Sequence, residues 1–241
     1  MNNLHFLDIL KASFLKYLET GARSNKKLKI LHGAISKDLS ARLDKANTTG
    51  DKYAVASLDC KGGKEKSIKG HYVNKSVDIV VSKDNEPIAG VAVKFVMSNY
   101  KQNSNNYFEN MLGETANMRC NNIRYFQIFV IADKIPYFDK DGNIKEKWEE
   151  IDKHNLNKYI VLSNDNIDKY LHTPDKLLVF VVNISGDDPP QYSNRAGYKK
   201  YYETMPFTMT RSSKPFKFGN NVIYNEYETF INKIVHTILG I

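Results

Sequence analysis

Two long apolar runs constrain the fold of this chain more than any other feature. One covers residues 123–132 and reads Ile-Arg-Tyr-Phe-Gln-Ile-Phe-Val-Ile-Ala, and the other covers residues 176–184 and reads Lys-Leu-Leu-Val-Phe-Val-Val-Asn-Ile. Both are too continuously apolar to face water on one side, which is typical of interior strands. The chain therefore needs a β-sheet that is covered on both faces.

Hydrophobic periodicity elsewhere supplies the covering layers and more strands. Helices are predicted at 4–18, 28–43, about 106–119, near 164–172 and about 222–239, and strands at 53–60, 76–81 and 88–96, the last two forming a hairpin around a turn-like segment at 82–87. The order of helices and strands along the chain predicts an α/β fold with a mixed central β-sheet flanked by helices.

The chain is long enough for one ordinary domain with its own core. We expect a single domain over residues 1–241, with a core at about 53–185 and N-terminal helices at 4–43. A Tyr- and Lys-rich segment with the last helix completes it at 186–241.

Composition favours a polyanionic partner. The chain carries 35 basic and 27 acidic side chains, a formal net charge of +8. No apolar run approaches about 18 residues, and the first residues lack the pattern of a signal peptide, so we expect no membrane association. Cys60 and Cys120 match no metal or redox spacing, and a reduced cytoplasmic location is the expectation. The six histidines show no HxxxH or His–Cys spacing, so zinc chemistry is not predicted.

An aspartate and a lysine lie in the apolar strands of the predicted hairpin. Asp78 interrupts the first strand and Lys94 lies in the second, and buried charges are costly unless they are paired or used. Together with the backbone carbonyl of Val93, Asp78 offers oxygen ligands for Mg²⁺, and Lys94 offers a cation for the hydrolysis of a phosphodiester. A structural interpretation stays open, in which Asp78 caps a turn and Lys94 extends from an edge strand to water.

Residues 72–132 resemble the PD-(D/E)XK nuclease superfamily, and within it the type II restriction endonucleases. The resemblance rests on Asp78, on Ala92-Val93-Lys94 where the family shows (D/E)-x-K, and on the polar loop, helix and aromatic-rich strand that follow. It implies a restriction-endonuclease-like fold in which Asp78 and a second acid bind Mg²⁺ and Lys94 serves the attacking water. Ala92 departs from the family pattern, because alanine has no ligand atom.

In some members of the family a glutamate on the following helix replaces the missing acid. Glu109 fits by its separation from Lys94, although Asn106 and Glu109 also form a capping-box pattern at a helix start. Glu114 fits because it lies beside the apolar stripe of the same helix. Glu19, at the end of the first helix, is a third candidate from topology alone.

Two polar segments are predicted to contact DNA, since amides can pair with adenine and basic side chains with guanine or phosphate. The first is a predicted loop at 98–106 that follows the lysine strand, and the second, at 191–202 and 208–214, interleaves aromatic and basic side chains. The predicted DNA-binding residues are Asn99, Lys101, Gln102, Asn103, Asn105, Asn106, Arg119, Tyr192, Arg195, Lys199, Lys200, Arg211 and Lys214. A solvated connection and a Tyr-rich dimer contact are the respective alternatives.

These features together predict a sequence-specific, Mg²⁺-dependent endonuclease of type II restriction character that hydrolyses double-stranded DNA. A homodimer is expected, because a two-fold axis lets two copies cut antiparallel strands. A non-catalytic DNA- or RNA-binding module on a nuclease fold is the alternative. A structural or protein-interaction domain is the third.

Overall fold

The computed structural model describes residues 1–145, 148–185 and 192–240 and confirms the α/β class with a mixed central sheet flanked by helices. The helices are α1 (Asn3–Thr20), α2 (Lys26–Ala46), α3 (Tyr100–Arg119), α4 (Lys153–Leu162), α5 (Arg195–Thr204) and α6 (Tyr227–Leu239). The strands are β1 (Tyr53–Ser57), β2 (Lys66–Lys69), β3 (Asn74–Val77), β4 (Ile79–Lys83), β5 (Glu86–Val96), β6 (Arg124–Ala132), β7 (Lys134–Ile135), β8 (Glu149–Glu150), β9 (Lys176–Ser185), β10 (Thr208–Arg211) and β11 (Val222–Tyr224).

The central sheet has the strand order β1-β4-β5-β6-β9-β10, with β11 also paired to β9. β4 and β5 form the predicted antiparallel hairpin, whereas β5, β6 and β9 are parallel to one another. The two apolar runs are β6 and β9, which lie inside the sheet as expected and are almost entirely buried. Separate two-stranded sheets are formed by β2 with β3 and by β7 with β8.

Helices cover both faces of this sheet. α1, α2 and α6 pack together on one face, while α3 and α4 pack on the other. On the first face Phe6 lies at 4.1 Å, stacked, from Tyr227 and at 5.0 Å, edge-on, from Phe180, measured between ring centroids. No helix in the described parts of the chain combines the length and apolar character that crossing a membrane requires.

Helix α3 begins earlier than the sequence predicts. The predicted loop at 98–106 is largely wrong, because the helix begins at Tyr100. The carboxylate of Glu149, a buried residue of β8, accepts the backbone N–H of Tyr100 (2.6 Å) and of Lys101 (3.1 Å) and so satisfies free amides of the first turn. The capping box expected at Asn106 and Glu109 is therefore wrong too, since both residues lie inside the helix.

Three other boundaries differ from the expectation. The helix predicted near 164–172 is replaced by α4, which ends at Leu162 and begins with the side chain of Asp152 accepting the N–H of Asn155. The last helix starts at Tyr227, after the short strand β11. The segment at 186–220 contains α5 and β10, and its first six residues, 186–191, lie outside the described residues.

Candidate active site

Asp78 lies at the point where two sheets separate. The residues before it pair with β2, and the residues after it pair with β1 and β5. Ile79 is opposite Val91, so Asp78 lies alongside the next residues of β5, and its Oδ2 accepts the N–H of Val93 at 2.7 Å. Burial raises the pKa of the Asp78 carboxyl, while the Val93 amide and the Lys94 charge oppose that rise.

Lys94 follows directly on β5, which is an interior strand between β4 and β6. The interpretation of Lys94 as an edge-strand residue is therefore wrong. Because side chains alternate along a strand, Lys94 shares a face with Ala92 and not with Val93. Its ammonium lies 3.8 Å from Oε1 of Glu114, and its side chain is 31% exposed.

The structure places Glu114, rather than Glu109, beside this lysine. Glu114 is 14% exposed and lies between two cations, with its Oε1 at 2.8 Å from Nζ of Lys75 and 3.8 Å from Nζ of Lys94. Glu109 is exposed on the same helix and interacts with the charge of Lys158. Position beside the apolar stripe of α3, and not separation from Lys94 along the chain, thus predicted which glutamate lies near Lys94.

Glu19 is also placed elsewhere. It is exposed at the end of α1, where it pairs with Lys16. Together with Phe138 and Arg195 it lines a cavity of about 640 Å³. Neither Asp78 nor Lys94 lines that cavity, so the structure does not bring Glu19 to the Asp78 site.

The position of the missing acid is apolar. Ala92 is buried and packs with Val80, Met118 and Tyr125. Its partner across the parallel ladder is Gln127, which is also buried. Nothing in this packing supplies a carboxylate at Ala92, and any second acid must come from another element.

Two residues that the sequence did not single out lie close to Asp78. Ligand atoms of His32, Glu65 and Asp78 all lie within 4.8 Å of one another. His32 is fully buried on α2, and neither ring nitrogen has a hydrogen-bond partner among the described residues. Burial lowers the pKa of His32 to about 4, so its imidazole is neutral near pH 7. Glu65 is exposed and comes just before β2.

Tyr125 is a further residue that the sequence did not single out. Its side chain is fully buried on β6, and its hydroxyl has no hydrogen-bond partner in the described part of the chain. Burial raises its pKa well above the ordinary value, and the charges of Glu114 and Asp78 act in the same direction. Gly90 makes room for the ring, because a Cβ there would lie 2.9 Å from Cε2 of Tyr125.

A hairpin formed by β2 and β3 projects beside Glu114. Lys75 belongs to it, and the tip carries the exposed residues Lys69 and Tyr72, the latter 75% exposed. The side-chain oxygen of Asn117 on α3 accepts the N–H of Tyr72 at 2.8 Å and of Val73 at 3.2 Å. The tip is therefore fastened to the helix that carries Glu114.

Several predicted DNA-binding residues serve the fold instead. Asn99 donates to the carbonyl of Phe138 (2.7 Å) and accepts its N–H (3.0 Å). Arg119 is nearly buried, donates to the carbonyl of Thr173 at 2.7 Å and lies 3.5 Å from Asp175. Both side chains are thus engaged by groups of the protein itself.

The remaining members of the first segment lie on the early turns of α3. Lys101, Gln102, Asn105 and Asn106 are exposed, and Asn103 is half-buried. An α-helix rises about 1.5 Å per residue, so these side chains lie about 12–20 Å along the helix from Glu114. These side chains therefore belong to the first turns of the helix that carries Glu114, and not to a loop.

Some side chains of the second predicted segment pack inside the protein, and others lie at its surface. Tyr192 packs against Trp148 and two other tyrosines of an aromatic cluster. Arg195 lies 4.8 Å above the ring of Phe138, and Lys199 pairs with Glu203. Lys200 is exposed, Arg211 pairs with Glu226, and Lys214 donates to Glu150 and to the carbonyl of Ile151. These residues do not adjoin Asp78.

Comparisons with protein-family models, with curated proteins and with solved structures find no match to this chain. Its function is therefore inferred from the geometry around Asp78. That geometry combines a partly buried carboxylate, a lysine on the neighbouring strand and a helix-borne glutamate at one junction of the fold.

Proposed function

We propose that this chain is a Mg²⁺-dependent endonuclease that hydrolyses double-stranded DNA at a specific sequence, as type II restriction enzymes do. The observation that carries the proposal is the convergence of Asp78, Lys94 and Glu114. Asp78 is bonded to the backbone of Val93, and Lys94 follows in the chain with its ammonium 3.8 Å from Glu114.

The donor atoms around Asp78 fit a magnesium ion. Mg²⁺ is bound in proteins by one or two carboxylates with carbonyl and water oxygens. The N–H and C=O of one residue point to the same edge of an extended strand, so the carbonyl of Val93 points to the edge where Asp78 lies. Asp78, Val93 and Glu114 would hold the ion, which supplies polarisation of the phosphate and a lower pKa for a bound water.

Lys94 supplies the fixed positive charge of the site. Its ammonium would hold the attacking water and stabilise the charge that develops on the phosphate oxygens. Glu114 keeps that ammonium in place, and Lys75 on the hairpin orients Glu114 from the opposite side. The side chains of this chain thus position the water and the phosphate.

The surface around the site suits a duplex. Lys69, Lys75 and the exposed ring of Tyr72 lie on the β2–β3 hairpin, and exposed amides of α3 lie on the adjoining helix. Phosphate contacts position a protein on DNA, while amides and aromatic rings contact bases. We propose that a homodimer cuts the two strands and that it acts in the cytoplasm, where Cys60 and Cys120 stay reduced.

Replacing Lys94 tests the proposal. Lys94→Ala should lower Mg²⁺-dependent cleavage of a mixed DNA substrate at least about 100-fold, because it removes preorganised charge stabilisation. DNA binding should stay within about threefold, since other side chains make the phosphate contacts. Lys83→Ala is the matched control, because Lys83 is also a strand lysine paired with a carboxylate, Asp51, at 2.8 Å.

Sequencing of the fragment ends shows whether the cuts are at discrete positions. Full cleavage by Lys94→Ala would contradict the mechanism. Wild-type protein that binds duplex DNA with Mg²⁺ present but leaves it uncut would instead support a non-catalytic binding module. The ion pair of Glu114 with Lys75 and the alanine at position 92 are the observations that favour this second function.

A further inference from the structure

We propose that His32, Glu65 and Asp78 form a metal site that prefers Mn²⁺ to Mg²⁺, in which Glu65 and Asp78 supply carboxylates and His32 adds a nitrogen ligand. The proposal deepens the proposed nuclease site, because it shares Asp78 with it. Metal binding by these three residues is nevertheless measurable without DNA and without cleavage.

The spacing of the three side chains suits one ion. Their ligand atoms lie within 4.8 Å of one another. Two ligands on opposite sides of an ion at about 2.1 Å lie about 4.2 Å apart, so small side-chain rotations close the site. The three residues come from α2, from the segment before β2 and from the junction of β3 with β4, which gives ligands from three directions.

The burial of His32 is the second, independent observation. Its side chain is fully buried, yet both ring nitrogens lack a hydrogen-bond partner among the described residues. A buried polar atom without a partner costs about 1–3 kcal/mol, so such groups are rare in native proteins. A metal bound to one nitrogen satisfies that atom, and the nearby carboxylates mark the side from which the ion approaches.

The ligand types decide which ion is favoured. Imidazole suits first-row transition ions, whereas carboxylate, carbonyl and water oxygens suit Mg²⁺, Ca²⁺ and Mn²⁺. One imidazole with two carboxylates therefore favours Mn²⁺, which accepts both ligand types, over Mg²⁺, which is bound through oxygen. Removing the imidazole should leave an oxygen-only site in which this preference is lost.

Titration of the full chain with Mn²⁺, followed by electron paramagnetic resonance, measures binding directly, and competition with Mg²⁺ gives the preference. We expect one Mn²⁺ per chain, bound at least about tenfold more tightly than Mg²⁺. His32→Phe should weaken Mn²⁺ binding about tenfold or more and Mg²⁺ binding less than about threefold. Glu65→Gln should weaken both, and His5→Phe, which replaces an exposed histidine of α1, should change neither.

Equal binding of the two ions by the wild type, or an unchanged preference in His32→Phe, would overturn the proposal. Glu65 is exposed, so Glu65→Gln keeps the fold and decides the matter if His32→Phe does not fold; unchanged Mn²⁺ binding by Glu65→Gln counts against the site. Mn²⁺ binding together with undigested DNA would leave this site standing and reject the nuclease. Cleavage with Mg²⁺ but no preference for Mn²⁺ in binding would support the nuclease and reject this metal site.

Discussion

Glu114 is shared by two lysines that differ in where they come from. Lys94 belongs to β5, an interior strand of the central sheet, whereas Lys75 belongs to the β2–β3 hairpin, whose tip is bonded to Asn117 of α3. A carboxylate between two ammonium groups fixes both, and the role proposed for Lys94 depends on such positioning. Glu114 is therefore the residue whose loss should separate a working site from a folded but inactive protein.

The variant pair Glu114→Gln and Glu109→Gln tests this assignment on a single helix. Glu114→Gln should lower Mg²⁺-dependent cleavage about 100-fold or more, because it removes both the proposed metal ligand and the ion pair with Lys94. Glu109→Gln should cut within about twofold of the wild type, since its side chain is exposed. Cleavage rates on one plasmid substrate, with thermal unfolding as the check of folding, give the answer. The reverse pattern would move the active-site acid to Glu109.

The proximity of Asp78 and Lys94 was predictable from the sequence, because the two strands of a hairpin pair residues that are separated by a short turn. His32 and Glu65 were not, because they reach Asp78 from α2 and from the segment before β2. No short spacing connects residues that meet only through packing. The one local signal was a histidine within the apolar face formed by Leu31, Ile35 and Leu39, and that pattern is equally typical of an ordinary core histidine.

At the level of elements, the start of α3 depends on a distant carboxylate. Asn99, just before the helix, has a left-handed backbone (φ 51°) and makes no side-chain cap bond. Glu149 performs that function from β8, and burial raises the pKa of its carboxyl despite the two amides that it accepts. Local sequence therefore predicted a later start, because the cap is about 50 residues away in the chain.

Glu149→Gln should destabilise the protein by about 1–2 kcal/mol, because a neutral amide oxygen is a weaker acceptor for the free N–H groups of the first turn. Chemical denaturation measures the loss, and hydrogen exchange should show the amides of Tyr100 and Lys101 exchanging faster. Glu150→Gln is the control, since this neighbour pairs with Lys214 at the surface. Equal stability of Glu149→Gln and the wild type would contradict the capping role.

At the scale of the whole molecule, the two apolar runs determine the fold, whereas the candidate site lies at a break in strand pairing. Two continuous apolar strands require helices on both faces, and this requirement was enough to predict the architecture. The site lies where the chain leaves one sheet pairing and enters another, at Asp78. At such a break, backbone groups such as the N–H of Val93 can bond to a side chain and not to a neighbouring strand. The position of the break depends on pairing between distant strands, which hydrophobic periodicity does not predict.

The net charge of +8 and the basic hairpin give the last prediction, which concerns DNA binding by the whole protein. The affinity for duplex DNA should fall with salt, and each phosphate contact contributes about −0.9 to the slope of log K against log salt. Lys69→Ala should reduce the size of that slope by about one. Tyr72→Ala should weaken binding without changing the slope, because its ring carries no charge.

Fluorescence anisotropy at several salt concentrations measures these slopes on one labelled duplex. Lys45→Ala is the control, since this exposed lysine at the end of α2 lies outside the β2–β3 hairpin. Equal slopes for Lys69→Ala and Lys45→Ala would contradict the proposal that the β2–β3 hairpin contacts DNA. An absence of salt-dependent affinity in the wild type would reject nucleic-acid binding altogether and favour a protein-interaction domain, because neutralising phosphates always releases counterions.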